Sequence, residues 1–365
     1  MLNLKVLKSQ AKIVVAMSGG VDSSTVAALL KENGYNVIGI TMQLYDHGMT
    51  IGRKGACCAG QDIYDAKMVA DQLQIPHYVL DYENKFKEAV IDKFADSYLR
   101  GETPLPCIEC NQSVKFHDLL NFTKELQADA LVTGHYVRRV DGVNGPKLCK
   151  AIDNKKDQSY FLFNTTKEQL QYLYFPLGNM TKEETRYHAN RYGLHTANKP
   201  DSQDICFVPN GSYNEVIEKL RPNAKQEGKI LHIDGYELGK HQGIINFTVG
   251  QRRRVNVNFS KALYVIKIDS KQNIIYVGPE SALFKTDFTI QDLNWLGDED
   301  LALDNLEVEI KIRSTHSAKN AKLYICDDST VKVILQSPEK AITPGQACVI
   351  YKDDMVLGGG WITKY

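Results

Sequence analysis

Lys12-Ile-Val-Val-Ala-Met17 runs directly into Ser18-Gly-Gly-Val-Asp-Ser-Ser24, and this junction decides the fold. A short apolar run bounded by turn residues suits a strand covered on both faces. Val26, Leu29 and Leu30 then recur at i, i+3 and i+4, the helix period, and Gly34 stops that helix. A glycine pair between a strand end and a helix start is suited to phosphate. Gly19 and Gly20 let the backbone approach an anion closely, and the N–H groups and dipole of the helix terminus attract it. Ser18, Ser23 and Ser24 add hydroxyl donors. The competing reading of the same residues is a plain turn with Asp22 or Ser23 as helix cap. The lysine that closes a Walker A loop is missing, so γ-phosphoryl transfer is not what this loop suggests.

Working outward, residues 37–41 read as a second strand, 62–73 as a helix with Ile63, Ala66, Val69, Ala70 and Leu73 on one face, and 77–80 as a third strand. Residues 116–126 read as helix and 128–134 as a fourth strand. Strands alternating with helices imply right-handed crossovers and a doubly wound parallel sheet. The pattern changes near Pro200. Residues 211–220 look helical, and short β-type runs follow at 229–233, 243–249, 263–268 and 273–277. More come at 288–290, 306–312, 322–326, 331–335, 347–351 and 361–363, with Pro344-Gly345 and Gly358-Gly359-Gly360 as punctuation. The expected organisation is an α/β nucleotide-binding catalytic domain over 1–208, a small mixed module over 209–283 and an all-β barrel over 284–365.

The chain has 365 residues, with 44 Lys+Arg balancing 44 Asp+Glu, so a globally basic nucleic-acid binder is excluded while a local basic patch is not. Its 43% hydrophobic and 24% charged composition excludes disorder and supports a buried core. No apolar run is long enough for a membrane span, and residues 1–12 have no signal-like apolar stretch, so a cytoplasmic protein without membrane association is expected.

In a reducing compartment, clustered cysteines point to catalysis or metal binding rather than disulfide scaffolding. Pro104-Leu-Pro-Cys107-Ile-Glu-Cys110-Asn111 places two thiols behind prolines that fix an extended approach, at the mouth of the following helix. A helix N-terminus there is expected to lower the thiol pKa. Zinc is the alternative, but the second Cys-x-x-Cys of a structural site is missing. Cys206, between Ile205 and Phe207, is a third candidate, with a buried core thiol as the alternative. Cys57 and Cys58 receive no role, and Cys149, Cys326 and Cys348 are read as packing residues.

Ser18-Gly-Gly-x-Asp-Ser23 resembles the PP-loop of the ATP pyrophosphatases, which split ATP between the α and β phosphates. With Pro104-x-Pro-Cys-x-x-Cys-Asn111, Thr133-Gly-His-Tyr136, Asp153-x-x-Lys-Asp-Gln-Ser-Tyr-Phe161, Ser202-Gln-Asp-Ile-Cys-Phe207, His241-Gln-Gly243, Gly250-Gln-Arg252 and Thr343-Pro-Gly-Gln346 in this order, the chain resembles the bacterial tRNA-specific 2-thiouridylases over nearly its whole length. That resemblance implies ATP, accompanied by Mg2+, as the adenylating substrate. It implies tRNA as the acceptor, at the wobble uridine of the anticodon stem-loop in tRNAs for Lys, Glu and Gln, and a persulfide protein as sulfur donor. Ala16, Met17, Ser18, Gly19, Gly20, Val21, Asp22, Ser23, Met42 and Gly134 match ATP-binding positions. Cys206 matches the cysteine that carries the persulfide, and Cys110 the nucleophile that forms a disulfide with it. Leu105, Pro106 and Cys107 match the segment that meets the target base, although the best-known members carry Asp at the third position. Lys156, Asp157, Gln158, Arg313 and Ser314 match tRNA contacts, the last being Tyr in those members. Arg252-Arg253-Arg254 makes a local basic cluster suited to phosphates. Cys107, Cys110 and Cys206 also resemble the trio that holds an iron–sulfur cluster in related PP-loop tRNA thiolases, which implies an iron–sulfur-dependent variant as a second reading. The remaining alternatives are an amide-forming PP-loop ligase and a non-catalytic nucleotide- or tRNA-binding module. Neither gives two thiols anything to do.

Overall fold

The computed structural model describes residues 2–45, 58–201, 205–208, 212–253, 255, 259, 261–298, 304–326 and 330–363. Cys57, the Cys58 side chain, Ser202-Gln-Asp204 and Arg254 lie outside them. The chain divides into two compact units. The first comprises Met1–Ala89, Cys107–Phe207 and Asp354–Val356, and the second Val90–Pro106, Val208–Asp353 and Leu357–Tyr365.

In the first unit, β1 (Lys12–Ala16), β2 (Asn36–Gln43), β3 (His77–Asp81), β4 (Ala130–Val132) and β7 (Leu173–Tyr174) form a parallel sheet in the order β3-β2-β1-β4-β7. Strand β1 is central, with Val14 paired to Ile38 on one side and Leu131 on the other. Ile13, Val14 and Val15 are fully buried, as a strand covered on both faces requires. Because the chain goes outward from β1 in both directions, the crevice beyond its carboxyl end is a topological switch point, where open α/β sheets hold ligands. The phosphate loop lies there, between β1 and helix α1 (Val21–Glu32). Gly34, at φ +82°, ends that helix as expected.

Strand β7 escaped the sequence reading because two residues carry no periodicity. The helical segment expected at 116–126 starts earlier: Pro106–Glu109 is helical, Cys110–Asp118 is wound as a π-helix, and Leu119–Glu125 returns to α geometry. The wider i→i+5 winding breaks the 3.6-residue pattern by which such a segment is recognised. A hairpin of β5 (Arg138–Gly142) and β6 (Gly145–Cys149) completes this unit, with Cys149 paired to Met355.

The second unit holds a mixed sheet in the order β10-β11-β8-β9, made of β8 (Gly228–His232), β9 (Glu237–His241), β10 (Tyr264–Asp269) and β11 (Ile274–Gly278). Its core is Ile230, Val265, Ile275 and Val277 with Phe247 and Leu263. The β-run expected at 243–249 is corrected: Gly243, at φ +126°, breaks the chain and only a 3-10 turn, Ile244–Asn246, follows. Beyond it, β12 (Phe284–Trp295), β13 (Leu306–Lys311), β14 (Lys319–Ile325), β15 (Thr330–Lys340), β16 (Ala347–Lys352) and β17 (Met355–Ile362) form an antiparallel barrel in the order β12-β15-β14-β13-β16-β17, closed by β12 on β17. The Gly358 triplet, read as punctuation, is corrected to strand. Gly358 sits at φ +138°, and a Cβ there would lie 2.0 Å from the Asn294 carbonyl oxygen, so closure of the barrel requires glycine. Among the described residues no helix is long and apolar enough to cross a membrane.

Candidate active site

Helix α1 begins after Gly20, whose backbone is extended, and no side chain caps it. Asp22 and Ser23, the sequence candidates for a cap, lie inside its first turn. The opening N–H groups are therefore left for an anion. The loop is held by its own atoms: the Ser18 N–H donates to Ser23 Oγ (3.1 Å), and the Ser24 hydroxyl donates to the Gly20 carbonyl (2.8 Å). Gly19 takes φ +70°, and a Cβ there would lie 2.1 Å from the Asp62 carbonyl oxygen. Gly134, at the end of β4, packs so tightly on the start of α1 that its Cβ would meet the Ser23 nitrogen at 2.8 Å. Ala16 ends β1, and the Met17 carbonyl accepts from the Thr41 hydroxyl at 2.8 Å. Met42 follows on β2, paired with Leu80. Ala16 through Ser23, Met42 and Gly134 thus belong to the same end of the parallel sheet.

Behind the loop lies a charge network that the sequence did not disclose. Asp22 Oδ1 accepts from Lys182 Nζ (2.7 Å) and from the Tyr136 hydroxyl (2.9 Å). Lys182 also reaches Asp201 Oδ1 at 2.8 Å, and Asp201 further accepts from Lys156 (2.6 Å) and Arg186 (3.1 Å). Burial opposes charge on Asp201, but the hydrogen bonds from Lys156 and Lys182 overcome it and hold its carboxyl at about 2. Lys199 Nζ donates to the Gly19 carbonyl (3.0 Å), Asp62 (2.7 Å) and Asp65 (2.5 Å). Burial again opposes the charge, and the two carboxylates nevertheless keep Lys199 above the usual lysine range. Lys182 opens its helix behind the capping box of Thr181 and Glu184, where a lysine reads as an ordinary surface residue. Lys199 carried one faint signal, its position two residues before Asp201 and the Ser202 motif.

The three thiols of the resemblance belong to the same unit. Cys107 is exposed, Cys110 is 6% exposed, and Cys206 is at the surface beside Phe207, whose ring packs edge-on against Phe86 at 5.8 Å. The buried-core alternative for Cys206 is thereby set aside. The expectation of a lowered thiol pKa is corrected. Cys110 sits a full turn inside the helical segment rather than at its mouth, and burial pushes its thiol up. Cys206 is pushed up to about 12, first by the protein surrounding its sulfur and then by the nearby Cys110 and Cys107. Lys115, which hydrogen-bonds Asn111 at 3.2 Å, works in the opposite direction on both Cys110 and Cys206. Among the described residues no group of three or more His, Cys, Asp or Glu is arranged to hold a metal ion. Of the thiols read as packing residues, Cys348 is buried and Cys149 half-buried on their strands, whereas Cys326 is exposed past the end of β14.

Lys156, Asp157 and Gln158 are internally bonded. Lys156 pairs with Asp201, Asp157 caps the Ala151 and Ser159 N–H groups, and Gln158 accepts from the Tyr136 N–H at 2.8 Å. In the second unit, Leu105 is half-buried and Pro106 buried. The approach to them is tied to the Thr343-Pro-Gly-Gln346 motif: the Thr103 N–H donates to the Pro344 carbonyl (2.9 Å) and Gln346 Nε2 to the Thr103 carbonyl (2.8 Å). Arg313 donates to the Ala341 carbonyl at 2.6 Å, and Ser314 is exposed.

A relative from Orientia tsutsugamushi, the tRNA-specific 2-thiouridylase MnmA, is 75% identical over 364 residues, covering 100% of this chain and 99% of its own. The chain belongs to the tRNA-specific 2-thiouridylase MnmA family. The family member from Rickettsia felis is 64% identical over 355 residues, with 97% of each chain covered. Residues 11–210 match the family described as tRNA methyl transferase HUP domain, 214–279 its PRC-barrel domain, and 285–362 the aminomethyltransferase beta-barrel domain. Among solved structures, a 4-thiouridine synthetase in complex with RNA and bound ATP matches at 18% identity and TM-score 0.34, over 55% of this chain and 46% of that one. Family membership sets aside the amide-ligase reading and the non-catalytic one.

Proposed function

We propose that this chain is a cytoplasmic tRNA 2-thiouridylase that adenylates a uridine and then replaces its carbon-2 oxygen with sulfur. The observation that carries this reading is the presence, in one α/β unit, of an uncapped Gly-Gly helix terminus at the sheet's switch point and of three thiols, the exposed Cys107 and Cys206 and the buried Cys110. In the first step the uridine O2 attacks the α-phosphorus of ATP, the α–β bond breaks and pyrophosphate leaves. The N–H groups of Gly19 to Val21 and the hydroxyls of Ser18 and Ser23 stabilise the phosphate charge. Magnesium enters with the triphosphate as part of that substrate.

In the second step Cys206 carries a sulfane sulfur brought by a persulfide donor protein. The Cys110 thiolate attacks the Cys206 sulfur, the Cys110–Cys206 disulfide forms, and hydrosulfide leaves. Hydrosulfide adds to carbon 2 and expels AMP, leaving the thiocarbonyl. A thiol reductant then returns two electrons to the disulfide. Both resting thiols are raised, so Cys110 has to lose its proton at the moment of reaction, and the Lys115 charge is the side chain in place to favour that loss. Leu105, Pro106 and Cys107 meet the base. Lys156, Asp157, Gln158, Arg252, Arg313 and Ser314 are the residues proposed to contact the RNA, and an anticodon base must be splayed out to reach the adenylate. Residues 1–208, 209–283 and 284–365 act as the catalytic, central and barrel domains.

The test is pyrophosphate release from labelled ATP with and without unmodified tRNA for Glu, for the wild type and Cys206→Ser. Release that depends on tRNA and persists in Cys206→Ser while sulfur incorporation disappears is the expected result. Release indifferent to tRNA overturns the reading.

A further inference from the structure

Lys182 is 8% exposed, and its ammonium is shared between two carboxylates from distant parts of the chain: Asp22 at 2.7 Å and Asp201 at 2.8 Å. Asp22 belongs to the first turn of α1, directly after the phosphate loop. Asp201 lies five residues before Cys206. The stretch 197–201 is fastened along its length. Arg186 donates to the carbonyls of Ala197 (2.6 Å) and Lys199 (3.1 Å) as well as to Asp201, and Lys199 reaches back to the Gly19 carbonyl. The stretch 197–201 is therefore anchored twice to the loop, through Lys199 on Gly19 and through Lys182 between Asp22 and Asp201. A buried ammonium that loses one of two carboxylates is left undercompensated, so a displacement of Asp22 is felt at Asp201. Lys156, from one of the segments matched to tRNA contacts, converges on the same carboxylate.

We propose that Lys182 is a positioning residue that couples the phosphate loop to the Cys206 segment, so that occupancy of the loop by ATP sets the accessibility of the thiol. This rests on the reading of the loop and of Cys206 given above. It goes beyond that reading in making the two half-reactions mechanically dependent through one side chain that touches neither reacting group.

Full-length wild type, Lys182→Met, Lys182→Arg and Asp201→Asn are compared in two assays. The first is the rate of Cys206 alkylation by iodoacetamide with and without ATP. The second is tRNA-dependent pyrophosphate release beside single-turnover thiolation by the persulfide-loaded enzyme. ATP is expected to change the Cys206 alkylation rate in the wild type, to have no effect in Lys182→Met, and to recover part of its effect in Lys182→Arg. Asp201→Asn, which leaves the Lys182–Asp22 pair in place, is expected to lose about tenfold or more in sulfur transfer with pyrophosphate release within about twofold of wild type. A response to ATP that persists in Lys182→Met overturns the coupling. So does a parallel fall of both rates in Asp201→Asn, the mark of a structural salt bridge. Absence of tRNA-dependent pyrophosphate release in the wild type removes the functional reading itself and the coupling with it, which distinguishes the two failures. Should Lys182→Met not fold, Asp201→Asn decides alone.

Discussion

Between Ala16 and Ser24 the backbone is fixed by the loop's own serines, by Lys199 on the Gly19 carbonyl and by the close approach of Gly134, whereas Cys110 and Cys206 rest with their thiols pushed up, away from the reactive thiolate. The loop displays its donors at rest, which suits electrostatic stabilisation by preorganised groups. Cys110 is held protonated by its burial, and the Cys206 thiol is pushed up by the protein around its sulfur and by Cys110 and Cys107. A loop that meets ATP gains from readiness. A persulfide carrier gains from the opposite, because a standing thiolate would be spent on stray oxidants. Under the proposed function, the difference teaches that adenylation would be set by the fold while sulfur release would await a second event.

Four experiments break or sharpen this contrast. The largest effect is expected from Cys110→Ser, which removes the attacking thiol: sulfur incorporation into tRNA should fall by about 10⁴ or more, measured as 2-thiouridine formed per turnover. Next is the resting reactivity of Cys206. An ordinary thiol value near 9.0 raised to about 12 leaves on the order of a thousandfold less thiolate at neutral pH, so alkylation should keep rising with pH and show no plateau below about pH 11. A plateau near pH 9 would erase the contrast, because the thiol would then be as ready as the loop. Gly19→Ala forces a side chain into left-handed backbone and onto the Asp62 carbonyl, and kcat/KM for ATP should drop about a hundredfold. Persulfide loading of Cys206 should remain in that variant. The smallest effect is expected from Lys199→Met, which frees the Gly19 carbonyl without touching the donors: KM for ATP should rise about tenfold with kcat little changed. Equal losses in kcat and KM would mean that the loop is not preorganised by this lysine.

Much of the fold was legible because contiguous residues carry it. Apolar runs bounded by turns gave β1, β2 and β3 nearly to the residue, and Gly34 ended α1 where expected. What was misread has physical causes of its own. The π-winding at Cys110–Asp118 erased the helical period, and a two-residue strand such as β7 has none to show. The Gly358 triplet looked like a turn, because glycine signals backbone freedom without saying whether a turn or a close strand contact uses it. Within the site, the glycines, serines and cysteines were visible as motifs, while Lys182, Lys199 and Asp201 were not.

The sequence by itself determined the strand–loop–helix junction at residues 12–24, the alternation that makes the sheet parallel, and the identities of the three thiols, since each rests on local backbone conformation or on the chemistry of single side chains. Only the tertiary structure decided that the Cys110 and Cys206 thiols are raised rather than lowered, that Gly358 lies at the barrel seam, and that one lysine 160 residues from Asp22 pairs with both Asp22 and Asp201. A buried ammonium takes its partners from whatever carboxylates lie within about 3 Å, and a thiol takes its pKa from the atoms packed around it. Both are properties of neighbourhood in space, which separation along the chain does not record.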